Sequence, residues 1–338
     1  MKRITHVIGS RRLTADLILV SEIAESLYGR FSFSAVIPRG AEYRERLLRS
    51  KVGIFELESS TSPTLADALA FKRFFAENPT DIVHTHASFA ARVGAHLSGI
   101  KKCLSTRAVS GVLRRDGAYG RLYNAFTSLT VCHSNRQREE LISEGVRRDR
   151  IAVMPVDLEY GETKGAGGLT EATLVSPVPI YRGFGHNTLV RAFCRLPERA
   201  FARLVLPSEG DCVAECRMLV YRLGIGGRVS FYPLETLTKV YNNEKCIAVF
   251  PQEERWDLPT ALLSPVRMPI VASDLQENRE LFSRDCSFFA RGNAFSLERG
   301  LLRLLRRMCG DDGTGRVLAQ TYDLSRICAF YESLYSGI

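Results

Sequence analysis

Short apolar runs of strand length alternate along the chain with longer segments that have a helical period. In the first half the predicted strands, rich in Ile, Val and Phe, are Ile4–Ile8, Phe33–Ile37, Gly53–Leu57, Asp81–His84, Lys102–Ser105, Leu129–Cys132 and Ile151–Met154. Between the first two of them, Leu17, Val20 and Leu27 share one face of a predicted helix. This alternation predicts βαβ units and an α/β fold with a parallel sheet covered on both faces.

A polar, glycine-rich stretch at 159–168 interrupts the pattern, and its composition predicts a linker. After it the alternation resumes. The predicted strands are Ala172–Val175, Arg203–Leu206, Arg228–Phe231, Ile247–Phe250, Pro269–Ala272 and Ser287–Phe289, and the predicted helices are Thr188–Arg195, Val213–Leu223 and Leu297–Met308. We therefore expect two Rossmann-like domains, 1–158 and 169–322, facing each other across a cleft at the open ends of their strands. A C-terminal helix at 323–338 is expected to cross back to the first domain.

Composition narrows the kind of protein without choosing its function. Hydrophobic residues make up 45% and charged residues 25%, the balance of a globular rather than a disordered protein. A net charge of +9 favours anionic partners such as nucleotide phosphates, acidic lipid headgroups or nucleic acid, although a solvated basic surface is the alternative. The nine cysteines form no CxxC pair, and we find neither a signal peptide nor an apolar run of about 20 residues, so we expect a cytoplasmic protein.

Several short motifs then occur in a characteristic order. They are Asp81–His86 (DIVHTH), Lys101–Arg107 (KKCLSTR), His133–Asn135 (HSN), Gly185–Phe193 (GHNTLVRAF) and Glu254–Ser273 with Leu258-Pro259 inside it. Together they resemble the family-4 retaining glycosyltransferases, which have the GT-B fold of two Rossmann-like domains. The resemblance covers nearly the whole chain. It implies a nucleotide-sugar donor, a glycan or lipid-linked acceptor and a role in cell-envelope polysaccharide biosynthesis. We expect no cofactor, no metal and no nucleic-acid partner.

The resemblance also assigns roles to residues of this sequence. The catalytic candidates are His86 and Glu254; the donor-binding candidates are Gly9, Ser10, Arg182, Gly185, Glu254, Leu258 and Leu262; the acceptor-side candidates are His84 and Arg107. Arg182 could stabilise charge on a leaving diphosphate, with the helix that begins near His186, or be a solvated loop cation. Arg107 could meet an anionic group or form an ion pair. One of the two histidines at the strand end is expected to be a structural hydrogen-bonding residue, and we take His86 as the functional one.

Departures from the family pattern concentrate at positions that hold the substrate. Leu13-Thr14-Ala15 stands where a Gly-Gly-Ala turn is usual, and a Cβ there obstructs close approach of the backbone to phosphates. Ala108 replaces a histidine, Phe184 a lysine, Leu262 the second glutamate of an E-x7-E motif, and Arg267 a small glycine. Two hypotheses follow: an active glycosyltransferase, or a catalytically impaired GT-B scaffold that binds a partner such as an active paralogue.

The segment 112–123 mixes cations with apolar and aromatic residues. Such a segment can lie on an anionic membrane surface, which would suit a lipid-linked acceptor. The alternative is a basic helix packed on the first domain through Leu122, Tyr123 and Phe126.

The six histidines show no metal-ligand spacing, and neither a Walker A motif nor a clear GxGxxG motif is present.

Overall fold

A computed structural model describes residues 1–11, 15–41, 43–58, 64–106, 118–154, 158–163, 172–234, 236–237, 246–254, 269–282, 286–309, 317–322 and 324–338. The chain forms two compact units. The first comprises Met1–Val156 together with Leu324–Ile338, and the second comprises Asp157–Asp323.

The first unit is built on a seven-stranded parallel sheet. Its strands are β1 (Lys2–Ile8), β2 (Phe31–Pro38), β3 (Gly53–Leu57), β4 (Ile82–His86), β5 (Cys103–Thr106), β6 (Leu129–Cys132) and β7 (Ile151–Val153), in the order β3-β2-β1-β4-β5-β6-β7. Ile4 on β1 lies beside Phe33 on β2 and Ile82 on β4. Strands β2 and β3 therefore lie on one side of β1, and β4 to β7 lie on the other side, so the strand order reverses between β1 and β4.

Helices connect these strands, and polar caps fix where several of them begin. They are α1 (Ala15–Ser26), α2 (Arg44–Arg49), α3 (Leu65–Glu77), α4 (Phe89–Leu97), α5 (Ala118–Phe126) and α6 (Asn135–Ser143). Thr64 and Asp67 form a capping box at the start of α3, and Ser88 and Ser134 cap α4 and α6. Each cap satisfies main-chain N–H groups that have no partner inside the helix.

The second unit repeats this plan with six parallel strands. They are β9 (Ala172–Val175), β10 (Phe201–Pro207), β11 (Val229–Tyr232), β12 (Cys246–Phe250), β13 (Ile270–Ser273) and β14 (Ser287–Phe289), in the order β11-β10-β9-β12-β13-β14. Its helices are α7 (His186–Phe193), α8 (Val213–Arg222), α9 (Gln276–Leu281) and α10 (Ala294–Cys309). This is the Rossmann strand order, in which the reversal between β9 and β12 opens a crevice at the carboxyl ends.

The predicted linker is, in its first part, a strand. Leu158–Thr163 forms β8, which pairs antiparallel with β15 (Val317–Tyr322), while 164–168 lie outside the described residues. Composition misses this strand because its hydrogen bonds come from a partner more than a hundred residues away in the chain, which no local pattern reports.

The C-terminal helix α11 (Leu324–Gly337) belongs to the first unit. It buries Ile327, Cys328, Tyr331 and Tyr335. Its carboxyl end is held by Lys2 and Lys102, whose ammonium groups donate to main-chain oxygens of Tyr335, Ser336 and Ile338 over 2.7–3.0 Å. Cations at this end satisfy the last carbonyl groups and oppose the negative end of the helix dipole.

These findings confirm the predicted fold class: α/β, with two parallel-sheet Rossmann-like units. The eight cysteines whose side chains the structure describes are free thiols. No helix among the described residues is long and apolar enough to cross a bilayer.

Helix α5 contains the last part of the basic segment 112–123. Its Tyr123 is buried under the guanidinium of Arg92, whereas Leu122 is about half exposed.

Candidate functional site

In the first unit, Gly9 and Ser10 follow β1 at the point where the strand order reverses. The Gly9 N–H donates to the carbonyl of His86 over 2.8 Å, which ties the end of β1 to the end of β4. A Cβ on residue 9 would lie 2.7 Å from the Ala87 carbonyl oxygen, so only glycine fits there. The Tyr43 hydroxyl donates to the Ser10 carbonyl. The main chain of both predicted donor-binding residues is therefore held at the carboxyl edge.

Three histidines meet on one face of this sheet. His6 on β1 lies directly beside His84 on β4, and His86 follows two residues later on the same face. His6 and His84 are fully buried, and His86 is 5% exposed. His6 Nδ1 lies 3.0 Å from His86 Nε2, within hydrogen-bond distance.

The His84 ring is bonded on both sides within the unit. Its Nδ1 lies 2.8 Å from the Tyr335 hydroxyl, and its Nε2 lies 2.7 Å from Thr106 Oγ1. The ring is fully buried and both of its nitrogens lie within hydrogen-bond distance of hydroxyls, so His84 has a structural role within the unit. Its acceptor contact stays a prediction. His86 stays nearer the open end of the strand.

Burial keeps this cluster uncharged. It lowers the pKa of His6 to about 3 and lowers the pKa of His84 and of His86 well below the ordinary value, with the neighbouring imidazoles adding repulsion for the latter two. The physical cause is that a buried cation loses its hydration. All three rings are therefore neutral at neutral pH, and each carries one N–H and one lone pair.

Among the described residues, these three rings are close enough together to hold a metal ion. One nitrogen from each lies within 4.8 Å of the others, although the chain spacing of the histidines gave no such indication. The cluster forms because parallel register places His6 beside His84. The hydrogen bonds already described engage both nitrogens of His84 and link His6 to His86, so we assign no metal to them.

In the second unit, two turns are joined at the carboxyl edge, between β9 and β12. One is the turn through Gly183 and Gly185, and the other is the segment 251–254 after β12. The N–H groups of Glu253 and Glu254 both donate to the Gly183 carbonyl, over 2.9 and 3.1 Å. This pairing places the Glu253 carboxylate beside the first turn of α7 and the Glu254 carboxylate beside Gly183.

Gly185 caps α7 and cannot be replaced without movement of the chain. Its φ is +68°, and a Cβ there would lie 1.8 Å from the Pro251 carbonyl oxygen. Gly183 also has a positive φ, +79°, and the space of its missing side chain is filled by the carboxylate end of Glu254. The sequence resemblance identified Gly185 but not the contact that requires it.

Glu254 and Glu253 differ in their surroundings although they are adjacent. Glu254 is exposed, and within the described part of the chain its carboxylate forms no ion pair. The Glu253 carboxylate instead accepts a hydrogen bond from Thr188 Oγ1 over 2.5 Å. Thr188 stands in the first turn of α7, so Glu253 places a negative charge where helix N–H groups attract anions. Sequence reasoning did not identify this residue.

Arg182 and His186 flank the same turn. Arg182 is exposed and, among the described residues, takes part in no hydrogen bond or ion pair. His186 is buried, with Nε2 at 3.0 Å from the Val178 carbonyl and 3.2 Å from Ser176 Oγ, and burial lowers its pKa to about 4. It therefore holds the start of α7 as a neutral ring.

Gln252 is a further polar residue at this edge that the sequence did not indicate. Its side chain is fully buried, and within the described residues neither amide atom has a hydrogen-bond partner. Arg107, Leu258 and Leu262 lie outside the described residues, so their predicted roles stay predictions.

Comparisons with known proteins give structural likeness without sequence likeness. No protein-family model and no curated protein sequence matches the chain. A glycosyltransferase from Rickettsia africae is 13% identical with a TM-score of 0.74, over 99% of this chain and 98% of that one. Anabaena Alr3699/HepE in complex with UDP and glucose is 14% identical with a TM-score of 0.72, over all of both chains.

A UDP-GlcNAc 2-epimerase from Neisseria meningitidis, bound to UDP-GlcNAc, is also similar, at 12% identity and a TM-score of 0.59, over 99% of this chain and 100% of that one. Identities this low establish the fold and leave the chemistry to the site. The chain thus has the two-domain GT-B architecture found in glycosyltransferases and in nucleotide-sugar epimerases.

Proposed function

We propose that this protein is a glycosyltransferase that takes a sugar from a nucleotide-sugar donor, with UDP as the leaving group. The proposal includes a retaining reaction, a glycan or lipid-linked acceptor, and a cytoplasmic location with peripheral contact to an anionic membrane. The observation that carries it is the carboxyl edge of the second unit, where the exposed Glu254 carboxylate and the exposed Arg182 guanidinium flank the start of α7.

Each of these groups has a distinct task in the proposed reaction. The N–H groups at the start of α7 and Arg182 would stabilise the negative charge that builds on the leaving diphosphate. Glu254 would accept hydrogen bonds from hydroxyls of the donor sugar and oppose the positive charge that develops on its ring. Solved structures with this architecture hold UDP and UDP-sugars, which supports a uridine nucleotide as the first ligand to test.

The decisive experiment combines binding with turnover. UDP, GDP and UDP-glucose are titrated by calorimetry, and release of UDP from UDP-glucose is measured with and without a mixture of lipid-linked acceptors. We expect UDP to bind and UDP release to depend on an acceptor. If no nucleotide binds to the folded protein, the proposal is wrong and the partner-binding scaffold becomes the better explanation.

Glu254→Gln then tests the assigned role. A charge-assisted hydrogen bond contributes about 1.5–3 kcal/mol, so kcat should fall roughly 10- to 100-fold with little change in KM or melting temperature. Glu215→Gln, on the exposed face of α8, is the matched control and should leave kcat unchanged. A fall in melting temperature with full activity per folded molecule would instead make Glu254 a structural residue.

A further inference from the structure

The outer sides of α7 and α10 carry a surface rich in arginine in the second unit. The two helices cover the same face of the sheet, because buried residues of both, such as Leu189 and Leu301, belong to one apolar core. The exposed sides of these helices and the segment directly after α7 carry six arginines. These residues, which we call the arginine face, are Arg191, Arg195, Arg199, Arg299, Arg303 and Arg306.

The arginine face is continuous from one helix to the other. On α10, Arg299, Arg303 and Arg306 follow one another at intervals of four and three residues, which places them on one side of the helix, away from its buried leucines. The Arg195 guanidinium lies over the ring of Phe295, 3.9 Å from its centre. Since Phe295 precedes Arg299 by one helical turn, it joins the arginines after α7 to those on α10.

Among the described residues, the arginine face is not neutralised by carboxylates. None of its six guanidinium groups takes part in an ion pair or a hydrogen bond within that part of the chain. Glu198 is ion-paired with Arg228, and Glu298 on α10 is half-buried. Like charges one helical turn apart repel each other. The packing of the unit therefore does not explain these arginines, and a negatively charged partner would relieve their repulsion.

We propose that the arginine face binds the surface of an anionic membrane through the phosphates of its lipid headgroups. A guanidinium group donates two parallel hydrogen bonds to a phosphate, which an ammonium group cannot do. The side chain of Phe295 is 65% exposed beside these arginines, where an aromatic ring can enter the headgroup region. This inference rests on the membrane contact in the proposed function and assigns that contact to the second unit.

The side chains of the arginine face favour a membrane over nucleic acid as the partner. Proteins that hold single-stranded nucleic acid stack its bases on several aromatic side chains. Phe295 is the one exposed aromatic residue on the described parts of α7 and α10. A broad set of outward cations with one aromatic ring instead fits a surface of closely spaced phosphates.

Binding of the full chain to lipid vesicles tests the proposal. Sedimentation with vesicles of phosphatidylglycerol and phosphatidylcholine is compared with sedimentation with vesicles of phosphatidylcholine alone, at rising NaCl concentration. We expect binding to the anionic vesicles, weakening as the salt concentration rises, and little binding to the neutral ones. One basic residue near an anionic membrane strengthens binding about fivefold, so replacing Arg299, Arg303 and Arg306 together by Gln should weaken it roughly 100-fold.

The matched control replaces Lys72, Arg73 and Lys101 together by Gln. It removes the same three charges from exposed positions of the first unit and should leave vesicle binding nearly unchanged. The α10 variant should keep or raise its melting temperature, because glutamine is a good helix former and the repulsion between arginines is removed. Loss of binding in that variant then reports the surface and not the fold.

A third variant locates the contact if it is elsewhere. Replacing Arg114, Arg115 and Arg121 together by Gln neutralises the basic segment 112–123, the other candidate for membrane contact. The proposal is overturned if this variant loses vesicle binding while the folded α10 variant binds as wild type does. It is also overturned if wild type binds no anionic vesicles, or binds a DNA or RNA oligonucleotide in their place. Vesicle binding needs no sugar donor, so its failure is distinguishable from failure of the nucleotide titration.

Discussion

The buried ring of His186 predicts that the second unit loses stability in mild acid, and one substitution isolates that effect. The folded-state pKa of His186 is lowered to about 4, first by burial, with partial compensation from its hydrogen bond to the Val178 carbonyl. The unfolded ring, with an ordinary pKa, binds a proton more readily. Its contribution to stability is therefore full above about pH 6.5 and is lost as the pH falls from about 6.5 toward 4.

The magnitude follows from that pKa difference. At pH 5.5 the unfolded ring is about 90% protonated while the folded ring is neutral, so the free energy of unfolding falls by about 1.4 kcal/mol relative to pH 7.5. His186→Gln removes the titration. A glutamine amide can also donate to the Val178 carbonyl as the ring Nε2–H does, so the change in stability at pH 7.5 should be small.

The assay is urea unfolding at pH 7.5 and 5.5, followed by the fluorescence of Trp256. This is the single tryptophan of the chain and belongs to the second unit. The pH-dependent loss should be about 1.4 kcal/mol smaller in His186→Gln than in wild type. His96→Gln, at an exposed ring of the first unit, should leave that loss unchanged. An equal loss in His186→Gln and wild type would show that the buried ring is already charged, and the reasoning would fail.

Three other substitutions test the donor edge. Gly185→Ala should lower the free energy of unfolding by more than about 3 kcal/mol. Gly224→Ala, at the same φ of +68° but with open space around it, should lower it by about 1 kcal/mol. Equal losses of stability in urea unfolding would rule out the contact with Pro251. Glu253→Gln should tighten UDP binding about three- to tenfold in calorimetry, because it removes a negative charge that would repel the diphosphate at the start of α7. Unchanged affinity would place the diphosphate elsewhere. Gln252→Leu should raise the melting temperature, since a buried unpaired amide costs about 1–3 kcal/mol, and a lower value would reveal a partner for it.

The fold could be predicted because parallel strands are buried on both faces and leave continuous apolar runs. Ile247–Phe250 is such a run, and the observed strand is Cys246–Phe250. The polar strand Leu158–Thr163 has no such pattern, because it depends on pairing with Val317–Tyr322. Its existence depends on a non-local partner, and local composition could only indicate a linker.

The candidate site was predictable only where a motif contains its residues. The DIVHTH motif identified His84 and His86 but not which one is enclosed, because that depends on Tyr335, about 250 positions away. His6 belongs to no motif and joins the cluster through strand register alone. Glu253 was missed because sequence does not show which of two adjacent carboxylates turns toward Thr188.

The glycines at the carboxyl edges of the two sheets do not distinguish the two hypotheses for this chain. Gly9 and Gly185 both follow strands at the point where the order reverses, and each is required by a carbonyl of its own unit, Ala87 in one case and Pro251 in the other. Packing alone explains both, so an enzyme and a scaffold would need them equally. The two hypotheses are distinguished by side chains that the packing of the fold does not require. Glu254 is an exposed carboxylate with no ion-pair partner in the described chain, and a scaffold has no need to hold it against Gly183. The case for an enzyme therefore depends on whether replacing that carboxylate changes turnover.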